Sequence, residues 1–340
     1  MIQDRRVLKP TFIPSDVVHR DHETRQLSRA LKPLMDGGVP ETAFLYGSSG
    51  AGKTCIAKFT VNRLQENVLD INHQYVNCWK DHSRFKTLYR VLEGIDRAVD
   101  IHRQSTPTDE LLARLEEYEG PPYIVILDEA DQLADTSVLY DLYRVRGVTL
   151  ILIANREQDL FSQVGSRIAS RLRTRTRIHF DQYSDDELAS ILSDRAQWGL
   201  GKDAATSSQL ERIARVAEGD ARVAIGILRM AAQQASDRGI QSVTDTMIQK
   251  AVPEAEAEIH QKNIQQLTED QHLLYEILSE HDELASGELY DRYAKRASDP
   301  KTKRMVRNYL QKMTHYNLVI PDGESRGRTY RLTSAESVSS

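Results

Sequence analysis

The sequence predicts three folded units: an α/β domain with a parallel sheet, an all-helical unit, and a C-terminal module of helices and a hairpin. In the first half, short apolar segments alternate with amphipathic ones; the middle shows helical periodicity alone; the end has three helical patterns followed by two strand-like ones. The chain has 340 residues, whereas a single domain usually has about 100–200. Several domains are therefore expected.

Four strand-like segments define the predicted sheet. The last two contain continuous apolar runs, which indicates burial on both faces, as in a parallel sheet covered by helices. The four segments are TAFLYG (42–47), HQYVNC (73–78), PYIVILDEAD (122–131) and VTLILIAN (148–155). Helical patterns at 84–99 and 108–117 separate the second strand from the third, and RIHF ends the unit near Phe180.

Only helical patterns occur in the middle of the chain. Ser184 with Glu187 predicts a capping box, Ser207 is the predicted cap of the next helix, and Asp220 stands before the third. A short fourth helix is predicted near Thr244. The charged segment that follows is interpreted as a linker, so the predicted boundaries are 1–182, 183–252, a linker at 253–267, 268–333, and a disordered tail at 334–340.

The C-terminal module has the pattern of a winged helix. Thr268 with Gln271 predicts the cap of its first helix, Ser286 opens the second, and Asp299 with Pro300 opens the third. The segments LVIP and RTYRL, joined by the turn DGESRG, form a predicted two-stranded hairpin. Three helices and a hairpin are an elaboration of the helix-turn-helix motif.

A phosphate-binding loop lies between the first strand and the helix after it. The segment GSSGAGKT matches G-x-x-x-x-G-K-[ST] in this context. Its backbone N–H groups surround phosphates, Lys53 reaches the β and γ phosphates, and the Thr54 hydroxyl ligates Mg²⁺. We predict ATP or ADP with Mg²⁺ in the 1–182 domain, with loop contacts from Gly47, Ser48, Ser49, Gly50, Ala51, Gly52, Lys53, Thr54 and Cys55.

Polar residues at the ends of two further strands complete the predicted catalytic site. Asp128 and Glu129 end the third strand, where ligands bind in open α/β sheets. Asp128 is predicted to hold Mg²⁺ through water, and Glu129 is suited to orient or deprotonate the attacking water. Asn155 ends the fourth strand and is either a γ-phosphate contact or a turn residue.

Two arginines have two interpretations each. Arg167 follows the fourth strand, where it would face a neighbouring subunit's phosphate, and Arg222 stands at a helix start. The alternative for each is an ordinary surface arginine. The arginines at 171, 173, 175 and 177 alternate with period two, which favours one exposed strand face over a phosphate or partner surface.

The order of these motifs resembles an AAA+ ATPase, and more narrowly the archaeal replication initiators related to the origin recognition complex and to the eukaryotic helicase-loading factor. The resemblance runs from FIPSDVVHRDHE through GSSGAGKT, LDEAD, SRIASRL and GDARVAIGILRMA to the winged helix. It implies a P-loop AAA+ domain with a helical lid. It further implies adenine contacts from Val17, Val18, His19 and Arg20, with Tyr183 and Arg195 closing the pocket from the lid. Asn155 would be the first sensor, Arg167 the arginine finger and Arg222 the second sensor.

Charge is distributed unevenly along the chain. Residues 291–331 contain eleven basic and four acidic residues, a net charge of +7, and subtracting this from −5 for the whole chain leaves −12 elsewhere. A basic winged helix suits DNA, because phosphate contacts supply affinity, although some winged helices bind proteins instead. The predicted DNA contacts are Lys301, Lys303, Arg304, Arg307 and Asn308 on the third helix, and Arg326 and Arg328 in the hairpin.

The resemblance implies an initiator that binds double-stranded origin DNA, recruits or loads the replicative helicase, self-associates on DNA, and hydrolyses ATP slowly as a switch. The alternatives are a branch-migration motor and an ATPase that regulates transcription. No apolar run is long enough for a membrane span, and the N-terminus lacks a signal-peptide core. Two cysteines, Cys55 and Cys78, are too few for a disulfide framework, so a cytoplasmic, nucleoid-associated location is expected.

Overall fold

The computed structural model describes residues 1–67, 70–102, 105–162, 164, 169–170, 176–323 and 327–333. The chain divides into two compact units, Met1–Ile248 and Gln249–Ser340. The predicted α/β domain and almost all of the predicted helical unit lie together in the first. None of the helices in these ranges is long and apolar enough to cross a membrane.

The first unit contains a five-stranded parallel sheet in the order β2-β3-β4-β1-β5. Every residue of β3 is buried, as its continuous apolar sequence predicts, and separate apolar clusters cover the two faces of the sheet. The strands are β1 (Ala43–Gly47), β2 (Asn72–Asn77), β3 (Tyr123–Asp128), β4 (Val148–Ala154) and β5 (Thr176–Phe180). The carboxyl ends of β1, β3 and β4 therefore meet at one edge.

Helices flank the strands and then continue into the lid. They are α1 (Asp21–Leu31), α2 (Lys53–Asn67), α3 (Arg84–Glu93), α4 (Thr108–Glu116), α5 (Ser137–Arg144), α6 (Glu157–Phe161), α7 (Asp185–Gly199), α8 (Ser207–Val216) and α9 (Ala221–Asp237). The helix predicted at 84–99 ends early, because Asp96 takes a left-handed conformation with φ of 56°. The capping box of Ser184 with Glu187 is confirmed, as is the Asp220 cap.

Two helix boundaries in the lid differ from the prediction. Ser207 is inside α8, and Thr206 is the cap. The Thr206 hydroxyl accepts from the backbone N–H of Gln209, and the Gln209 side chain accepts from the backbone N–H of Thr206. The predicted short helix near Thr244 is instead α10 (Asp245–Gln265). It runs through most of the predicted 253–267 linker, because the Ala-Glu repeat after Pro253 favours helix strongly enough to accommodate that proline.

The second unit contains α11 (Glu269–Ser279), α12 (Ser286–Arg296) and α13 (Lys303–His315), followed by β7 (Val319–Asp322) and β8 (Thr329–Leu332). A two-residue strand, β6 (Leu284–Ala285), pairs with β8, so the predicted hairpin is part of a three-stranded antiparallel sheet. The capping box of Thr268 with Gln271 is confirmed.

The start of α13 differs from the sequence prediction at Pro300. Thr302 is the cap, and its hydroxyl accepts from the backbone of Met305. Lys301 precedes the helix because the hydroxyls of Tyr290 and Tyr293 bind its backbone carbonyl and N–H. The three- and four-residue spacing of Lys301, Arg304 and Asn308 predicts one shared helix face. This prediction is wrong for Lys301, which lies outside the helix.

Candidate nucleotide site and nucleic-acid interface

The phosphate loop passes closely beneath the lid. Gly50 and Gly52 have φ of 73° and 93°, a region in which a side chain is strained. A Cβ at Gly50 would overlap the Asp220 carboxylate, and one at Gly52 would overlap the Tyr183 hydroxyl. Glycine at these two positions therefore allows the loop backbone and the lid to approach each other.

Lys53 begins α2 and lies across the loop. Its Nζ donates to the carbonyls of Gly47 at 2.8 Å and Ser48 at 2.7 Å, and to Asn155 Oδ1 at 3.2 Å. The side chain is 7% exposed, and this burial, reinforced by the charge of Arg222, lowers its pKa to about 8. A phosphate beside Nζ would favour the charged form and raise that pKa again.

Asp128 accepts hydrogen bonds from two hydroxyls. Thr54 Oγ1 and Tyr75 OH donate to its Oδ2 at 2.7 and 2.9 Å. Burial and the Asp128 charge raise the pKa of Tyr75, so this phenol keeps its proton and acts as the donor. Lys58 Nζ lies 3.5 Å from the centroid of the same ring. No sequence motif includes Tyr75 or Lys58, although Tyr75 stands on β2, the strand next to β3.

Glu129 directly follows Asp128 and takes the left-handed conformation, with φ of 55°. Non-glycine residues adopt it infrequently and often at functional sites. Its backbone N–H donates to Asp128 Oδ1 at 3.0 Å, so the turn after β3 fixes both carboxylate-bearing residues relative to each other. Both line the same cavity.

Of the two predicted sensors, Asn155 contacts the loop directly and Arg222 is paired within the lid. Asn155 is 9% exposed; its side chain accepts from Lys53, and its backbone carbonyl accepts from the Gly47 N–H at 3.2 Å. Arg222 is held by Asp220, with Nη2 2.7 Å from Oδ2. This pair lowers the pKa of Asp220 although burial opposes the shift. The Ala221 N–H also donates to the Gly50 carbonyl at 3.3 Å.

Two buried arginines fasten the segments around the site. Arg20 pairs with Glu23 at 2.8 Å, donates to the Asp181 carbonyl at 2.6 Å, and lies 4.1 Å from the centroid of the Tyr183 ring. Arg195 donates to the carbonyls of residues 7 and 12 at 2.8 and 3.1 Å. Arg195 thus joins the lid to the N-terminal segment.

A cavity of about 760 Å³ lies between the loop, the lid and the N-terminal segment. Its volume is within the range of small-molecule sites, about 300–1,000 Å³. The predicted residues that line it are Val17, Val18, Ser49, Gly50, Gly52, Lys53, Thr54, Cys55, Asp128, Glu129, Asn155, Tyr183, Arg195 and Arg222. The predicted residues outside its lining are His19, Arg20, Gly47, Ser48 and Ala51. Phe12 and Trp198 also line it, and no sequence signal points to either because no phosphate motif contains them.

The donor set at this cavity suits Mg²⁺ bound together with a nucleotide. Thr54 and Asp128 supply adjacent oxygen atoms, and Mg²⁺ is usually bound by one or two protein oxygens together with substrate phosphates and water. Within the described ranges, no cluster of three or more His, Cys, Asp or Glu residues could hold a metal ion alone. The oxygen atoms of Thr54 and Asp128 are the donors that would hold Mg²⁺ here.

The second unit has an exposed basic helix face. Lys303, Arg304 and Arg307 are exposed on α13, whereas Val306 and Leu310 on its other face are buried. Asn308 is half-buried and Arg328 is exposed. Lys301 pairs with Asp299. Arg326 and Arg167, like the arginines at 171, 173 and 175 and the tail at 334–340, lie outside the described residues.

Comparisons with known proteins give a consistent family. Residues 40–161 match an AAA domain and residues 189–253 match a Cdc6 AAA+ ATPase-type lid domain. ORC1-type DNA replication protein 1 of Halobacterium salinarum is 54% identical over 308 residues, which cover 91% of this chain and 100% of that protein. ORC1-type DNA replication protein 9 of the same organism is 47% identical, covering 98% and 94% of the two chains.

Among solved structures, the Aeropyrum pernix ORC1 protein in complex with DNA matches with a TM-score of 0.76 at 25% identity, covering 99% of this chain and 96% of that one. These relatives do not favour the two alternative functions that the sequence left open, a branch-migration motor and an ATPase that regulates transcription. The geometry of the nucleotide site and the helical lid agree with these matches. The chain belongs to the ORC1/Cdc6-type replication initiators, which are AAA+ ATPases.

Proposed function

We propose that this initiator binds duplex origin DNA through α13 and the neighbouring hairpin, and that its nucleotide state controls recruitment or loading of the replicative helicase. Nucleotide-dependent self-association on DNA belongs to the same proposal. ATP hydrolysis acts as a slow switch. The solved relative bound to DNA supports the DNA-binding part.

At the nucleotide site, each residue has a role that follows from its position. The loop backbone and Lys53 bind the β and γ phosphates. Thr54 and Asp128 hold Mg²⁺, which offsets phosphate charge when bound. Glu129 orients and deprotonates the attacking water, and Asn155 lies beside Lys53, where it can sense the γ phosphate.

The lid supplies the switch in this proposal. In the structure Arg222 is paired with Asp220, whose carboxylate stands against the loop at Gly50. A γ phosphate competes with that carboxylate for the guanidinium, because both are anionic acceptors of the same donors. Exchange between the two acceptors couples the nucleotide state to the position of the lid.

The exposed row of Lys303, Arg304 and Arg307 is the observation that carries the DNA-binding part. These side chains project from a helix whose opposite face is in the core of the unit, as in a recognition helix that enters the major groove. Residues 291–331, which include this face and the hairpin, carry a net charge of +7, while the rest of the chain is acidic. Phosphate attraction is therefore local.

Genome-wide mapping of the bound DNA tests the proposal. We expect a small number of peaks at a replication start, and we expect a variant with Arg304→Ala and Arg307→Ala to lose them at unchanged protein level. Peaks confined to promoters, or binding scattered without preference, would contradict the initiator role in origin recognition.

A further inference from the structure

A second hollow lies between α1 and α2 and shares no lining residue with the nucleotide cavity. Its volume is about 360 Å³. One wall is a stripe on α1 and the turn after it, and the other is a stripe on α2 with the same helical spacing. The lining residues are Arg25, Ser28, Arg29, Leu31, Lys32 and Met35 from the first wall, and Thr60, Arg63, Leu64 and Asn67 from the second. We call this hollow the α1/α2 groove.

The rim of the α1/α2 groove is cationic. Four of its lining residues are basic and none is acidic, although the chain outside 291–331 has a net charge of −12. Across the described part of the chain, Arg25, Arg29, Lys32 and Arg63 have no ion-pair partner, and the Arg63 guanidinium carbon lies 5.3 Å from the centroid of the Phe59 ring. Four neighbouring cations repel one another, so an anionic partner stabilises them.

The floor of the groove is apolar. Leu31 and Leu64 are 1% and 9% exposed and lie beneath the rim, while Met35 is 54% exposed at its edge. Thr60 is 4% exposed, and its hydroxyl has no hydrogen-bond partner among the described residues. The groove therefore has an apolar floor that can contact an apolar side chain, the Thr60 hydroxyl as a hydrogen-bonding group, and a basic rim.

We propose that the α1/α2 groove binds an acidic segment of a partner protein that inserts one large apolar side chain between the two helices. Carboxylates on either side of the inserted side chain pair with the arginines of the rim. The apolar floor favours a peptide over nucleic acid, because a DNA backbone has no apolar side chain to fill a concave pocket, whereas methionine suits varied apolar ligands. A volume near the lower limit of small-molecule sites fits one side chain.

The test uses the full chain with ATP and Mg²⁺ and a fluorescein-labelled acidic peptide containing a single phenylalanine. We expect saturable binding by anisotropy, weakened about tenfold when the phenylalanine is replaced by serine or the acids by amides. The methyl resonance of Met35 in protein with isotope-labelled methionine should shift on binding, which locates the peptide. Absence of binding, or binding without a Met35 shift, would overturn the proposal.

Matched variants separate the groove from general charge effects. Arg29→Glu should weaken the peptide about tenfold, whereas Arg146→Glu, the same charge change at an exposed site elsewhere on the unit, should leave the affinity unchanged. Met35→Ser should weaken it, whereas Val39→Ser, at a residue that is 91% exposed and outside the groove, should not. If Arg29→Glu lowers affinity for a short DNA duplex but not for the peptide, the groove is a nucleic-acid surface and the proposal is wrong.

Discussion

Asp128 shows how single residues organise the nucleotide site. Its Oδ2 accepts from Thr54 and Tyr75, and its Oδ1 accepts from the next backbone N–H. Both oxygens are therefore oriented before any ligand binds. Tyr75 is a second-layer donor of the kind that orients metal ligands, and sequence motifs do not include it.

We predict that Tyr75→Phe weakens Mg²⁺ binding while ATP binding without metal is unchanged. The substitution removes only the hydroxyl that fixes Asp128, and loss of such a partner typically costs about 10- to 100-fold in metal affinity. Calorimetric titration of Mg²⁺ into the ATP-bound protein measures the effect. Tyr46→Phe, on β1, is the control and should bind Mg²⁺ normally. Equal Mg²⁺ affinity for the wild type and Tyr75→Phe would refute the role.

We predict that ATP binding takes up a proton near pH 8.5. The pKa of Lys53 is lowered to about 8 by burial, so the free site is partly neutral there, and the phosphate charge raises that pKa on binding. Calorimetry in buffers of different ionisation enthalpy measures the uptake, which should decline as the pH falls well below 8. In Lys53→Arg the guanidinium is always charged, so that variant should show no such uptake.

At the scale of elements, α13 carries the DNA-binding proposal. Its cap is Thr302, and the exposed cations begin at Lys303, one turn later than the Asp299-Pro300 signal predicts. The sequence could not locate this start, because the hydroxyls of Tyr290 and Tyr293 that hold Lys301 outside the helix come from a different helix.

We predict that Arg304→Ala and Arg307→Ala each weaken duplex binding and lower the slope of log affinity against log salt by about one, since each removes one phosphate-neutralising charge. Binding isotherms at several salt concentrations measure both quantities. Arg296→Ala is the control, because Glu280 already neutralises that arginine at 2.6 Å. An unchanged slope in both test variants would place the DNA contacts elsewhere.

The linker predicted at 253–267 is wrong, because most of it belongs to the helix α10. Its polar composition favours a linker, yet alanine and glutamate are strong helix formers, so the segment folds as one helix of 21 residues despite Pro253. Composition indicates how polar this segment is, but the helix propensity of its residues determines its conformation.

At the scale of the whole molecule, charge and chemistry are separated along the sequence. The nucleotide site lies in the first unit, while the concentrated positive charge lies in the second. A mild net charge of −5 therefore conceals an acidic body and a basic C-terminal module. This division predicts that the two binding activities can be removed independently.

We predict that Lys53→Ala abolishes ATP binding in the full chain and changes duplex affinity by less than about threefold, because the lost cation contacts only the nucleotide site. Fluorescent nucleotide titration and duplex anisotropy measure the two affinities, and circular dichroism verifies folding. Loss of both activities in a folded variant would contradict the modular account.

The sequence by itself determined the phosphate loop, the carboxylates at the end of β3, the parallel sheet, the lid and the basic C-terminal module, because each depends on local spacing or on periodic burial. Tertiary structure decided which of those residues meet. Asn155 reaches Lys53 and Tyr75 reaches Asp128 only because β4 lies beside β1 and β2 beside β3. Likewise, the arginines of the α1/α2 groove are ordinary surface charges until two helices pack side by side. Such contacts depend on strand order and helix packing, which local spacing does not encode.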